Sequence, residues 1–137
     1  MRAPRQALLR SRVFMLIALT SSCAMPYPQP SQTLLEITIK SDGTNVSATY
    51  ILECSDGSVV PTSTLPMPSV ACDELEDHPN VLTPSLDPAT PCTEIYGGPQ
   101  RAEISGTFNG QPIDSEFSRS NGCLISQWDD AEFLFGS

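Results

Sequence analysis

Ile104-Ser105-Gly106-Thr107-Phe108-Asn109-Gly110-Gln111-Pro112-Ile113-Asp114-Ser115-Glu116-Phe117 is the stretch from which the fold can be read. Asn109-Gly110 is the preferred pair for a two-residue hairpin turn. With the turn placed there, Phe108 opposes Gln111, Gly106 opposes Ile113 and Ile104 opposes Ser115. Ile104, Phe108, Ile113 and Phe117 then share one face, and Glu103, Ser105, Thr107, Asp114 and Glu116 take the other. This is the pattern of an antiparallel sheet with one buried and one wet face.

Upstream, Leu35, Ile37 and Ile39 alternate with Glu36, Thr38 and Lys40, the period-two signature of a further strand. Ser41-Asp42-Gly43-Thr44-Asn45 turns the chain, and Ala48, Tyr50, Leu52 and Cys54 form the inner face of the next strand, opposite Thr49, Ile51 and Glu53. Residues 55–68, rich in Ser, Thr and Pro, predict a loop. A short helix is expected from Ser69 as its cap, with Asp73 and Glu74 near its positive end, Ala71, Cys72 and Leu75 on one face, and Pro79 stopping it. From Pro79 to Pro99 there are five prolines and no regular period. Long irregular segments in compact domains are mostly functional or disordered, and Cys92 speaks for function. Downstream of the hairpin, Asn121 is placed to cap a helix through Cys123, Leu124 and Trp128, and Ala131 to Phe135 reads as a last strand. The sum is an α+β domain: one five-stranded antiparallel sheet with two short helices.

The N-terminus reads as a secretion signal over residues 1–24. A basic stretch to Arg12 precedes the apolar run Val13-Phe14-Met15-Leu16-Ile17-Ala18-Leu19, and small polar residues follow up to Ala24. Seven apolar residues are too few to span a bilayer, which takes roughly 20. Cleavage after Ala24 would discard Cys23; the alternative is a lipid anchor on Cys23. Residues 25–33, with prolines at alternate positions, predict a flexible lead-in, leaving 34–137 as one domain. The 137-residue chain carries 7 cations and 16 acids, a formal charge of −9. Without the first 24 residues, 3 cations face 16 acids, so the mature charge is −13. Such a surface repels phosphate backbones and anionic membranes, which excludes nucleic acid as a partner. No membrane span is expected. Asn45-Val46-Ser47 matches a glycosylation sequon.

Removing Cys23 leaves Cys54, Cys72, Cys92 and Cys123, an even count in a short exported chain, hence two disulfides. Their separations of 18, 20 and 31 do not suit a zinc site, so no metal is expected. Sequence alone leaves three pairings open. No catalytic set converges either. The single histidine, His78, stands at a helix end among Glu76 and Asp77, where it reads as solvated, and the run Asp73-Glu74-Leu75-Glu76-Asp77 reads as a wet helix face. No G-x-S-x-G, P-loop or H-E-x-x-H motif is present. Neither an enzyme nor a cofactor is implied.

The four cysteines in this order, the block Cys72-Asp73-Glu74-Leu75, and the run Pro91-Cys92-Thr93-Glu94-Ile95-Tyr96 carry a resemblance. So do Gly106-Thr107-Phe108-Asn109-Gly110, Phe117-Ser118-Arg119-Ser120-Asn121-Gly122-Cys123 and the ending Ala131-Glu132-Phe133-Leu134-Phe135. Over about residues 33–137 the chain resembles the Streptomyces-type subtilisin inhibitor family, small secreted bacterial inhibitors of serine proteases. The resemblance implies a five-stranded antiparallel sheet, two helices and the disulfides Cys54–Cys72 and Cys92–Cys123. It implies a reactive bond between Glu94 and Ile95, protease contacts from Pro91, Cys92, Thr93 and Tyr96, and support of the loop by Asn121. It further implies a homodimer through the outer sheet face, which here carries Glu36, Thr38, Lys40, Thr49, Ile51 and Glu53. The family more often has Met, Lys or Arg at the Glu94 position and Pro at the Thr93 position. A glutamate there points to a glutamate-preferring serine endopeptidase, or a subtilisin-like one, as the partner. Read without the resemblance, the same residues describe a secreted or lipid-anchored binding or adhesion module with the long loop as its contact surface.

Overall fold

A computed structural model describes residues 30–136. The expected signal over 1–24, Cys23 and most of the expected lead-in lie outside the described residues. Five antiparallel strands form one sheet: β1 (Gln32–Lys40), β2 (Ala48–Ser55), β3 (Ser58–Val59), β4 (Arg101–Phe108) and β5 (Gln111–Ser118), in the spatial order β3-β2-β1-β4-β5. Two helices, α1 (Pro68–Asp77) and α2 (Gly122–Asp130), and two 3₁₀ turns, Pro79–Leu82 and Glu132–Leu134, complete it. The α+β class with five strands, two helices and two disulfides is as the sequence predicts.

β1 runs through the middle of the sheet because its inner residues are its most apolar. Leu35 and Ile37 are completely buried; Leu52 and Tyr50 face them on β2, and Gly106 and Ile104 on β4. Thr33 is buried at the start of the same face, so the strand begins at Gln32, two residues before the expected domain start. The β4–β5 register is the predicted one, with Phe108 against Gln111, Gly106 against Ile113 and Ile104 against Ser115. Asn109 (φ 49°) and Gly110 (φ 77°) supply the two positive φ values that a right-twisted hairpin needs from a two-residue turn.

Four sequence expectations are corrected. The fifth strand is not Ala131–Phe135, which coils into the second 3₁₀ turn with Leu134 N–H on Ala131 O (2.9 Å) and Phe135 N–H on Glu132 O (2.9 Å). Trp128, Ala131, Leu134 and Phe135 are the buried residues, a spacing of three to four that continues the helical period of α2 instead of alternating. Phe135 packs on Phe117 edge-on at 5.3 Å between centroids and on Trp128 at 4.5 Å, so the C-terminus covers the sheet rather than extending its edge. The fifth strand is Ser58–Val59, inside the segment expected to be loop. Asp56 (φ 49°) and Gly57 (φ 73°) make the same tight turn as Asn109-Gly110 and fold Ser58 and Val59 back on Ser55 and Cys54. Third, α1 starts at Pro68 and not at Ser69. Met67 is its N-cap without a side-chain bond, because a proline, lacking an N–H and fixed at helical φ, suits the first helical position. Fourth, Asp73 and Glu74 therefore lie in mid-helix, and the first turn holds no acid.

The core lies wholly between the inner sheet face and the helices, where Ala71, Cys72 and Leu75 of α1 and Leu82 of the first 3₁₀ turn are buried with the strand residues. The Cys54–Cys72 disulfide joins β2 to α1 (Cα–Cα 5.9 Å). The opposite face is left to water, apart from the Lys40–Glu103 ion pair across β1 and β4 and the Thr62 hydroxyl donating to Glu53. Among the described residues, no helix is long and apolar enough to cross a membrane.

Candidate functional site

The segment between the first 3₁₀ turn and β4 carries the residues singled out by sequence, and it is irregular but tied down. Cys92 is bonded to Cys123 in the first turn of α2, with Cα atoms 5.3 Å apart. One residue further on, Thr93 O accepts the Gly122 N–H at 2.9 Å. At the far side, Gly97 N–H donates to Arg119 O at 2.7 Å, and Arg119 Nε returns a bond to Gly97 O at 3.3 Å. Both ends of the loop are thus clamped to the single stretch 119–123. Between the clamps, Glu94, Ile95 and Tyr96 are exposed, Ile95 at 62% and Tyr96 at 66%, and their peptide groups make no backbone–backbone hydrogen bond among the described residues.

The clamp is itself held in place. Asn121 (φ −155°, ψ 173°) is the N-cap of α2, its Oδ1 accepting the Leu124 N–H at 3.0 Å. That satisfies one of the orphan donors at the helix start and fixes the position of Gly122 and Cys123. Arg119 lies 5.8 Å from the Trp128 ring centroid and 3.5 Å from Asp129 Oδ1, so its guanidinium bridges loop and helix. Gly122 allows the close approach: a Cβ there would sit 2.0 Å from Thr93 Oγ1. Behind the loop, the β1–β2 turn packs on Pro99. Asp42 organises that turn by accepting Thr44 N–H (2.9 Å), Asn45 N–H (2.7 Å) and Asn45 Nδ2 (2.8 Å). These bonds, the Asn45 side chain first, lower the Asp42 pKa to about 2.

All the predicted loop residues, Pro91, Cys92, Thr93, Glu94, Ile95 and Tyr96, fall on this one exposed segment, and Asn121 stands at its base. His78 is the C-cap of α1, exposed and 3.9 Å from Glu74, and takes no part in the loop. Sequence reasoning missed Arg119, Gly122 and Gly97. A signal was available for Arg119: it is one of only three cations after residue 24. For the glycines none was, because the close approach is visible only once two distant segments are side by side.

Fold and site together define a small disulfide-stapled α+β domain that holds up one exposed, doubly anchored loop. No family model matches the chain, and no curated protein does. Among solved structures, the chain is similar to Streptomyces caespitosus sermetstatin, in a crystal structure of its complex with Bacillus licheniformis subtilisin, with 22% identity and a TM-score of 0.45 over 80% of this chain and 100% of that one. So loose an overlap says nothing about what this chain binds.

Proposed function

We propose that the chain is a secreted, non-enzymatic inhibitor of a serine endopeptidase that offers the Glu94–Ile95 bond as a substrate mimic. One observation carries the reading: three exposed residues with free peptide groups are suspended between two anchors, Thr93 and Gly97. Backbone left unpaired and exposed is what a protease's substrate-binding strands can add to themselves. Glu94 enters the primary pocket, Ile95 and Tyr96 lie beyond the scissile bond, and the attacking serine reaches the Glu94 carbonyl. Because the disulfide and the anchor bonds order the loop beforehand, little conformational entropy remains to be lost on binding. After attack, Thr93 stays held through Gly122 and Cys92–Cys123, and Gly97 stays held by Arg119. The newly formed amine of Ile95 is then kept beside the acyl group, and religation competes with hydrolysis.

An acidic residue at the pocket position selects against proteases whose pocket bears a buried acid and for those with a basic or polar one. The targets are therefore a glutamate-preferring endopeptidase or a subtilisin-like one. Titration of both, with Glu94→Lys as the variant, tests this: the variant gains potency against trypsin-like enzymes, and an unchanged target profile removes Glu94 from the role. Secretion belongs to the same proposal, supported by two disulfides, which persist in oxidising compartments. A homodimer through the outer sheet face is supported by Leu34, 51% exposed beside Ile51 and the side-chain-free Gly106. Sedimentation that stays monomeric at high concentration would remove it.

A further inference from the structure

Asn-Gly occurs twice in the chain, at Asn109-Gly110 and Asn121-Gly122, in opposite environments. This pair is the one most prone to lose its side-chain amide without an enzyme, because glycine puts no Cβ in the way of the reaction. The Asn109 side chain is exposed and makes no hydrogen bond among the described residues. A Cβ on Gly110 would meet nothing within 4 Å. At Asn121 the attacking nitrogen and the side-chain carbonyl are both engaged. Its side-chain carbonyl accepts the Leu124 N–H (3.0 Å), the Gly122 N–H is spent on Thr93 O (2.9 Å), and the Thr93 side chain covers Gly122.

We infer that Asn121-Gly122 is a latent site of spontaneous amide loss which the docked loop keeps closed, and which opens when the loop leaves Gly122. The chemistry needs only water and base. The Gly122 nitrogen gives up its proton and bonds to Cγ of Asn121; the Cγ–Nδ2 bond breaks and ammonia departs, leaving a cyclic imide. Water adds to one or the other imide carbonyl, giving an aspartyl or isoaspartyl residue at position 121. While Thr93 O holds the Gly122 proton, the nitrogen cannot turn toward Cγ. The aspartyl product still caps a helix. The isoaspartyl product inserts an extra backbone carbon at the start of α2, so Gly122 no longer meets Thr93 and the loop cannot dock again. Release of the loop is thereby made irreversible with time. This inference rests on the docked geometry and not on the inhibitor reading.

The test is peptide mapping after incubation at mildly alkaline pH. Trypsin, cutting after Arg101 and Arg119, puts the two asparagines on separate peptides. In denaturant both positions convert at comparable rates. In the native protein position 121 converts about tenfold more slowly than 109, the factor set by first opening one hydrogen bond of about 1.4 kcal/mol. In Cys92→Ser/Cys123→Ser, shown to be folded by circular dichroism, position 121 accelerates toward 109. Should that variant not fold, Arg119→Ala keeps both disulfides and removes one anchor bond; mapped with a glutamate-specific protease, which cuts after Glu103, Glu116 and Glu132 and so still separates the two asparagines, it raises conversion at 121 and leaves 109 unchanged. Equal native rates at the two positions overturn the inference, as does a rate at 121 indifferent to release of the loop.

Discussion

Replacing Gly122 by alanine sets two effects of opposite sign against each other. Gly122 is the first residue of α2 and is not at positive φ, so alanine is conformationally allowed there. Helix propensity alone would favour the change by up to about 1 kcal/mol. Against this, the new Cβ would lie 2.0 Å from Thr93 Oγ1. Threonine is stiff at χ1, so relief requires an off-rotamer side chain or a shift of the loop, an overpacking cost of about 1–3 kcal/mol. Any such shift also weakens the bond from Gly122 N–H to Thr93 O, worth about 0.5–1.5 kcal/mol. The cost wins, and Gly122→Ala is expected to destabilise by about 2 kcal/mol. Thr93→Ala alone, at an exposed position, should stay within about 0.5 kcal/mol of the original. Combined with Gly122→Ala it removes the colliding oxygen and leaves only the Cβ of residue 93 at 3.3 Å, a tight contact that a shift of a few tenths of an ångström at this exposed position relieves, so the double variant recovers most of the loss. Urea unfolding of the four proteins gives the coupling directly, provided the m-value is unchanged. A Gly122→Ala protein as stable as the original, or one not rescued by Thr93→Ala, refutes the packing of the loop on the helix start.

The two disulfides should separate stability from function. Over separations of 31 and 18 residues, opening Cys92–Cys123 costs about 3.7 kcal/mol and opening Cys54–Cys72 about 3.2 kcal/mol in the chain-entropy model. Inhibition measured where Cys92→Ala/Cys123→Ala and Cys54→Ala/Cys72→Ala both remain folded should be lost only with the first; equal loss would make the loop tether irrelevant. Asn121→Ala should cost about 1 kcal/mol in thermal or urea unfolding and Asn121→Asp much less, since aspartate also caps; identical effects would exclude the cap. Asp42 has a folded pKa of about 2, below its model-compound value of 3.8, so the stability it contributes is complete above the higher value and lost as pH falls through the lower. NMR titration should show Asn45→Ala moving Asp42 back up; a normal Asp42 in the unaltered protein contradicts the turn.

What was legible in the chain was whatever depends on neighbours in sequence. The alternation of Leu35, Ile37 and Ile39 marks one strand, and the Asn109-Gly110 turn determines two more with their mutual register by local geometry alone. Asp56-Gly57 carried the same turn signal, but only two residues follow it before the chain leaves the sheet, too few to show a period. Ala131 to Phe135 misled because it is almost uniformly apolar; its true period emerges only when it is read on from Trp128. At the loop, the exposed residues lie consecutively in sequence. The clamp does not: Thr93–Gly122 and Gly97–Arg119 join segments more than twenty residues apart, with no local pattern to betray them.

The most direct measurement mixes the protein with an equimolar amount of a glutamate-specific serine endopeptidase and follows residual enzyme activity together with the intact mass of the added chain. Activity should fall in proportion to the protein added, while at most one slow cut appears, between Glu94 and Ile95, with both fragments still joined through Cys92–Cys123. Full enzyme activity, or rapid digestion beginning anywhere else in the chain, would contradict a clamped loop that a protease grips and scarcely consumes.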